Sequence, residues 1–182
     1  QDHFLPVAIR YDGKSPHGGH GYQVHVGPMS SDARGSVHVA SADPLAYPQI
    51  RFNYLSTEQD RREWLEAIRC TRRIMTQPAF EGVRGEELAP GPEVQDDEAV
   101  LEFVRREGES AYHLCGTCRM GSDGAAVVDP ALRVHGLEGL RVADASVIPS
   151  ITNGNLNAPV IMVAEKGADI ILGHCPEEPM PV

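Results

Sequence analysis

The chain has 182 residues, of which 41% are hydrophobic and 5% aromatic, and its formal net charge is −10 at pH 7. This acidity argues against a nucleic-acid-binding protein, which would need a basic face. No apolar run is long enough to span a bilayer, and the first residues do not resemble a signal peptide. Its four cysteines do not suggest a disulfide framework. We therefore expect a soluble protein of the reducing cytoplasm, with peripheral attachment to the inner membrane as an alternative.

Short strands are predicted in the first third of the chain. Apolar residues predict a strand over 4–9, and alternating patterns predict two more over 22–26 and 36–40. Because turn residues fill the connection 28–35, the last two strands are expected to pair as an antiparallel hairpin with one face buried. A further short strand is expected over 50–54.

Two helices are predicted next. Ser56 and Gln59 fit a capping box, so a helix is expected over 56–77, where Pro78 stops it. A second helix is expected over 96–107. One face of the first helix carries five arginines, which we interpret as a solvated surface, with a phosphate or carboxylate site as the minor alternative. They are Arg61, Arg62, Arg69, Arg72 and Arg73.

A polar stretch over 110–121 combines His113 with Cys115 and Cys118, on a predicted strand or extended turn. A zinc site needs four ligands, and neither a second CxxC pair nor a spaced histidine pair accompanies these cysteines. A thioredoxin-like motif would open a helix, whereas turn residues follow here. We therefore interpret both cysteines as structural thiols, with redox or zinc chemistry as the minor alternative.

The carboxyl-terminal stretch predicts a strand, a polar loop and a buried helix. Asp144 follows the apolar residues 140–143, and in open α/β sheets ligands lie beyond the carboxyl ends of strands. A plain cap of the strand end is the alternative role for this carboxylate. The loop 150–157 holds three asparagines, which suit irregular backbone and can also be simple turn formers. Pro159 is expected to open an apolar helix that ends at Gly173.

Two of these stretches resemble a known family. Residues 112–121 read YHLCGTCRMG, and residues 127–157 contain VVDP, RVHGLEGLRVADAS and GNLN. They are similar to the carboxyl-terminal signature of the glucose–methanol–choline flavoprotein oxidoreductases. Further segments extend the resemblance from Gln1 to about Gly173 and are most similar to the choline-oxidising branch of the family. These segments are QDHFLP, HGYQVHVGPM, IRFNY and ESAYH.

The resemblance implies an α+β fold in two parts. Residues 1–118 would form most of a substrate domain, an antiparallel sheet backed by helices. Residues 119–173 would complete a Rossmann-like domain that binds flavin adenine dinucleotide (FAD), and 174–182 would be a tail. The GxGxxG turn of such a domain does not occur in this sequence. We therefore expect the carboxyl-terminal part of a longer polypeptide, whose amino-terminal part holds the main FAD site.

The resemblance also implies roles for individual residues. In this family the flavin takes a hydride from an alcohol, and a histidine takes the hydroxyl proton or stabilises the alkoxide. The match places that histidine at His113, and it places a second polar residue, which would bond the same oxygen, at Asn155. The positive end of the carboxyl-terminal helix would face the flavin's pyrimidine ring. The residues implied to contact the cofactor are Asp144, Ala145, Asn155, Pro159 and Val160.

The implied reaction is the oxidation of choline to betaine aldehyde, with an electron acceptor other than oxygen. Another primary alcohol is the first alternative, because aromatic residues are few and their spacing reveals no cage for a quaternary ammonium. A non-catalytic binding module is the second. No metal is expected, and a homo-oligomer is left open. One departure from the family pattern is Leu114, which stands where proline usually follows the histidine.

Overall fold

The computed structural model describes residues 1–8 and 19–174, in two compact units. The first unit comprises residues 1–35 and 52–109, and the second comprises 36–51 and 110–182. Within the described residues lie three α-helices and two antiparallel sheets of two strands each. The predicted α+β class is confirmed. The division into a substrate domain and an FAD-domain segment stays a prediction, and the expected tail falls outside the described residues from 175 onward.

The four strands are short. β1 (Asp2–Leu5) pairs with β2 (Gln23–Val26) in the first unit, and β3 (Ser36–His38) pairs with β4 (Gln49–Arg51) in the second. The strand predicted over 4–9 is shorter and earlier in the structure: β1 begins at Asp2 and ends at Leu5, residues 6–8 form no strand, and residue 9 lies outside the described part. Val26 packs against the core of the first unit.

The predicted hairpin between strands 22–26 and 36–40 is wrong. The alternating pattern located both strands, but each pairs with a different partner. The connection between them is held at the start of the first helix, where Asp32 Oδ1 accepts a hydrogen bond from Thr57 Oγ1 at 2.5 Å. A two-residue turn would force neighbouring strands to pair, whereas this longer connection is anchored to another element.

Two helices pack together in the first unit. α1 spans Glu58–Met75 and α2 spans Asp97–Glu107. The N-cap of α1 is Thr57, whose Oγ1 accepts from the Asp60 N–H at 3.0 Å, so the cap lies one residue after the predicted Ser56. The core between the helices consists of buried aliphatic side chains with Trp64 and Phe103 packed against them. The buried residues are Ile68, Val100 and Val104.

Several arginines of α1 bond other groups of the protein. Arg72 forms a two-point ion pair with Glu87, with Nη2 at 2.7 Å from Oε1, and Nη1 donates to the Val94 carbonyl at 2.8 Å. It thereby fastens the connection between the two helices to α1. Arg61 and Arg69 also bond protein groups. These contacts account for three of the five arginines without an anion.

The third helix, α3, spans Asn157–Leu172 and belongs to the second unit. It ends at Gly173 in the left-handed conformation, with φ of 71°, as the sequence predicts. It begins two residues before Pro159, so that proline lies within the first turn, where its missing N–H breaks no helical bond. Val163 of α3 packs on a core of completely or almost completely buried residues. They are Val128, Leu132 and Val147.

Two expectations about this carboxyl-terminal stretch are wrong. Residues 140–143 form no regular strand: Arg141 makes a single bridge to Arg133, and the Val142 N–H donates to the Leu132 carbonyl at 3.1 Å. The helix is also not buried, since Gly167 is the one buried residue of α3. The helix is apolar around most of its circumference, but the rest of the described chain packs against only one stripe of its surface. Side chains that are 54–67% exposed include Ile161, Met162, Ile171 and Leu172.

Gly167 marks a close approach of α3 to the core. A Cβ at this position would lie 2.8 Å from Leu132 Cδ1 and 3.6 Å from Ala143 Cβ. We expect Gly167→Val to lower the free energy of unfolding by about 1–3 kcal/mol, because overpacking displaces buried neighbours. Urea denaturation measures the change. Gly85→Val is the control, since its Cβ would meet nothing within 4 Å; equal losses in both variants would contradict the close approach.

Asp123 is expected to titrate at unusually low pH. Hydrogen bonds from Arg119, at 2.6 Å, and from the Ala125 N–H, at 2.9 Å, lower the pKa of Asp123 to about 2. Because the folded pKa lies below the ordinary 3.8, the pair stabilises the folded chain above that pH and loses its effect as pH falls toward 2. An NMR titration of the carboxyl carbon should show this midpoint. Arg119→Gln should raise it, and an unchanged midpoint would exclude Arg119 as the main cause.

Candidate functional site

The loop that carries His113 follows α2 in the chain and forms turns, although the sequence left a strand open. Gly116 has φ of 90°, a conformation that favours glycine. Its carbonyl accepts a hydrogen bond from the Arg119 N–H at 3.2 Å, which closes a turn over 116–119. Beyond the turn, Met120 makes one bridge to Val128. The polar residues of this stretch therefore lie on a loop whose end is fixed to the core.

Backbone hydrogen bonds join the His113 loop to the segment after Asp144. The Cys118 N–H donates to the Ser146 carbonyl at 2.9 Å, and the Met120 N–H donates to the Val147 carbonyl at 2.8 Å. Val147 is completely buried, so this junction rests on the core of the unit. The structure thus brings together the two stretches that carry the family resemblance, although they are distant in sequence.

Asp144 caps the 3-10 turn Ala145–Val147. Its Oδ1 accepts a hydrogen bond from the Ser146 N–H at 2.8 Å, and its side chain is exposed. The alternative left by the sequence was a cap of the strand end, whereas the observed cap belongs to the turn that follows. In the part of the chain that the structure describes, Oδ2 has no partner, so the cap leaves one carboxylate oxygen available to a ligand hydroxyl. Contact of Asp144 and Ala145 with a flavin stays a prediction.

His113 is half-buried, and no hydrogen bond or ion pair within residues 1–8 and 19–174 holds its imidazole. A ring nitrogen can therefore bond a ligand. The preceding Tyr112 is 80% exposed and has φ of 59°. Aromatic residues rarely adopt this left-handed conformation, and such outliers cluster at functional sites. The sequence alone did not indicate a role for Tyr112, because no sequence pattern predicts a positive φ at a tyrosine.

Asn155 lies exposed in the loop that leads into α3. In that loop the Thr152 hydroxyl donates to the Gly154 carbonyl at 2.9 Å. The N-cap position of α3 is Leu156, which offers no capping side chain, and the first turn contains no acidic residue. The positive end of the helix dipole is thus not neutralised by its own sequence. Pro159 and Val160 lie within this first turn, beside Asn155 in sequence.

The structure therefore assembles two parts of the predicted site. The His113 loop and the Asp144–Ala145 turn are joined by backbone hydrogen bonds, and Asn155, Pro159 and Val160 share the start of α3. The joint action of His113 and Asn155 on one oxygen stays a prediction. The described residues contain no helix long and apolar enough to cross a membrane.

A family model described as GMC oxidoreductase matches residues 31–164. A protein of Staphylococcus aureus (strain JH9) named oxygen-dependent choline dehydrogenase is 58% identical over 180 residues, which cover 97% of this chain and 32% of that protein. The protein of the same name from strain Newman matches to the same extent. The chain thus spans about a third of the length of these relatives.

The chain is also similar to solved structures. Pyridoxine 4-oxidase from Mesorbium loti superposes with a TM-score of 0.83 at 33% identity, over 92% of this chain and 33% of that one. An FAD-dependent oxidoreductase from Chaetomium thermophilum has a TM-score of 0.73 at 32% identity, over 85% of this chain and 27% of that one.

Proposed function

This chain belongs to the GMC oxidoreductases, and we propose that it is the carboxyl-terminal part of an FAD-dependent choline dehydrogenase. The observation that carries the proposal is the 58% identity to the Staphylococcus aureus choline dehydrogenase over 97% of this chain. Because the match covers only 32% of that relative, the main FAD site is assigned to the remaining amino-terminal part of the same polypeptide. The proposed reaction converts choline to betaine aldehyde, a step toward glycine betaine.

The proposed cofactor is FAD, which supplies the hydride acceptor when bound. The residues that would hold it here are Asp144, Ala145, Asn155, Pro159 and Val160. The features of the second unit fit this role. The first turn of α3 has neither a capping side chain nor an acidic residue, which favours a polar or negatively charged occupant. Asp144 keeps one oxygen free of protein partners among the described residues, which suits a ribityl or ribose hydroxyl.

His113 is proposed as the general base. Histidine is the side chain most often used to move a proton in catalysis, and proton removal must accompany the departure of the hydride. The imidazole of His113 has no bonding partner in the described part of the chain, so a ring nitrogen can accept the hydroxyl proton of the substrate. The carboxamide of Asn155 would donate a hydrogen bond to the same oxygen as it gains negative charge.

The expected electron acceptor differs between the family resemblance and the names of the relatives. The family resemblance implies an acceptor other than oxygen, whereas the Staphylococcus aureus relatives are named oxygen-dependent. We follow the relatives and propose molecular oxygen. Oxygen uptake by the full-length enzyme during choline oxidation decides this point: uptake that matches aldehyde formation supports oxygen, and oxidation that requires an added quinone or dye supports the other acceptor.

Choline is expected to be preferred over an uncharged alcohol of the same shape, in which carbon replaces the ammonium nitrogen. A desolvated cation over an aromatic ring gains about 2 kcal/mol, so kcat/KM should differ by roughly 30-fold. Tyr112→Leu should reduce this ratio, because the exposed ring adjoins His113 in the chain. Tyr47→Leu is the matched control, since Tyr47 is 91% exposed but lies in the β3–β4 connection. Equal efficiency with both alcohols would favour the alternative of another primary alcohol.

A further inference from the structure

Two arginines of α1 are not used by the fold. Arg61, Arg69 and Arg72 bond other groups of the protein. No hydrogen bond or ion pair joins the guanidinium of Arg62 or Arg73 to any residue within 1–8 and 19–174, and both residues are exposed. These two side chains can therefore bond a ligand without breaking a contact of the described structure.

Neighbouring charges on α1 do not account for Arg62 and Arg73. Glu58 and Glu66 lie four residues before and after Arg62, the spacing at which opposite charges pair on a helix, yet neither pair forms among the described residues. Arg73 has a like charge, Arg69, four residues before it, and such pairs destabilise a helix. An anion placed between these two guanidiniums would remove their repulsion.

Arg62, Arg69 and Arg73 form one stripe along α1. In a helix of 3.6 residues per turn, positions seven and eleven residues after Arg62 lie within about 20° of it around the axis. The rise of about 1.5 Å per residue separates Arg69 from Arg73 by about 6 Å along the axis and from Arg62 by about 10 Å. The stripe therefore presents two positive charges at one end and a single positive charge at the other.

The stripe lines a groove that has a volume of about 580 Å³, within the usual range of ligand clefts. Asp97 of α2 also lines it and pairs with Arg69. The apolar part of the lining comes from Leu65, which is half-buried, and Leu101, which is buried. Four arginines and three carboxylates line the groove, so it has an excess of positive charge although the chain has a net charge of −10.

We propose that this groove binds an elongated dianion, in which an apolar spacer joins two terminal oxyanion groups. One end lies between Arg69 and Arg73, and the other end lies at Arg62. Guanidinium groups match the geometry of carboxylates and phosphates, because their N–H donors form a planar fork. The spacer contacts Leu65 and Leu101, so a linear dicarboxylate with a hydrocarbon chain is the class of ligand that fits the lining.

The test uses the full-length, FAD-loaded enzyme at low ionic strength, without choline, and measures binding by isothermal titration calorimetry. Suberate, a linear dicarboxylate with a hydrocarbon spacer, is the main probe. Acetate supplies one carboxylate alone, and tripolyphosphate supplies anionic ends without an apolar spacer. We expect saturable binding of suberate and weaker binding of both acetate and tripolyphosphate. The result does not depend on the proposed function, because no turnover is measured.

Variants locate the bound anion. Arg62→Gln and Arg73→Gln should each raise the Kd for suberate by about fivefold, the upper range for an exposed ion pair, and the double variant should raise it by about 30-fold. Arg51→Gln is the matched control, since Arg51 is an exposed arginine of β4, outside the groove, and its Kd should not change. Added salt should weaken wild-type binding, because exposed charges are screened.

Absence of saturable suberate binding would overturn the proposal, and so would acetate binding as tight as that of suberate. Unchanged affinity in the double variant would place the anion elsewhere on the enzyme and would also overturn it. Tighter binding of tripolyphosphate than of suberate would overturn the apolar spacer, and its loss in the double variant would assign the arginines to a phosphate ligand. FAD absorbance of each variant verifies that the enzyme is folded.

Discussion

Replacing His113 with alanine in the full-length enzyme is expected to lower kcat for choline by about 10²–10⁴-fold, the usual contribution of one positioned general base. The FAD content should not change, because His113 is proposed to act on the substrate and not to hold the cofactor. Stopped-flow measurement of flavin reduction by choline separates this chemical step from later steps, and absorbance of the purified variant gives its FAD content.

His38→Ala provides the matched control, since His38 lies exposed at the end of β3. Its rate should stay within about twofold of wild type, as for most surface substitutions. Near-normal turnover by His113→Ala with bound FAD would remove this residue from the mechanism.

Asn153 and Asn155 in the loop before α3 should be tested together with Asn157, the first residue of that helix. Asn155→Ala is expected to cost about 10- to 100-fold in kcat, since one donor to a developing negative charge contributes on that order. Asn153→Ala and Asn157→Ala are the controls. A larger loss in either control would transfer the role from Asn155 to that neighbour.

The 182-residue chain on its own is expected to bind no FAD and to show no turnover with choline. The residues proposed to contact FAD come from one turn and one helix start, whereas the dinucleotide cradle of the family is a GxGxxG turn that this sequence does not contain. An absorbance spectrum of the purified chain, incubated with FAD and then desalted, measures this directly. The full-length enzyme in the same experiment is the positive control.

A yellow sample with activity would contradict this expectation and would place the whole FAD site within these residues. The alternative of a non-catalytic binding module makes a different prediction. In that case the isolated chain would bind choline without FAD, and calorimetric titration would detect the binding.

Local sequence signals predicted the helices well. All three helices were expected near their observed positions, because 3.6-residue periodicity, caps and breakers act over a few residues. The end of α3 at Gly173 follows from the freedom of glycine to adopt positive φ. The predicted cap of α1 was Ser56 and the observed cap is Thr57. Both hydroxyls can accept a hydrogen bond from the first turn, and the path of the backbone into the helix decides which of them does.

Long-range features were not predictable in this way. Alternation located the strands but not their partners, since pairing depends on where each connection is anchored, as with Asp32 and Thr57. The apolar composition of α3 predicted burial, but the cover for most of its faces does not come from this chain. For the site, the residues alone indicated a polar loop and a carboxylate. The roles of His113 and Asn155 came from the family resemblance, and Tyr112 was visible only in the backbone geometry.

The uncapped start of α3 has a thermodynamic consequence. Leu156 at the N-cap offers no side-chain acceptor and the first turn contains no acidic residue, so the positive end of the helix carries a cost that an occupant can offset. Any ligand that binds at this end in the folded chain alone shifts the folding equilibrium toward the native state by mass action. Occupancy of this position and order of the helix should therefore rise and fall together, which would make α3 a reporter of whether the position is filled.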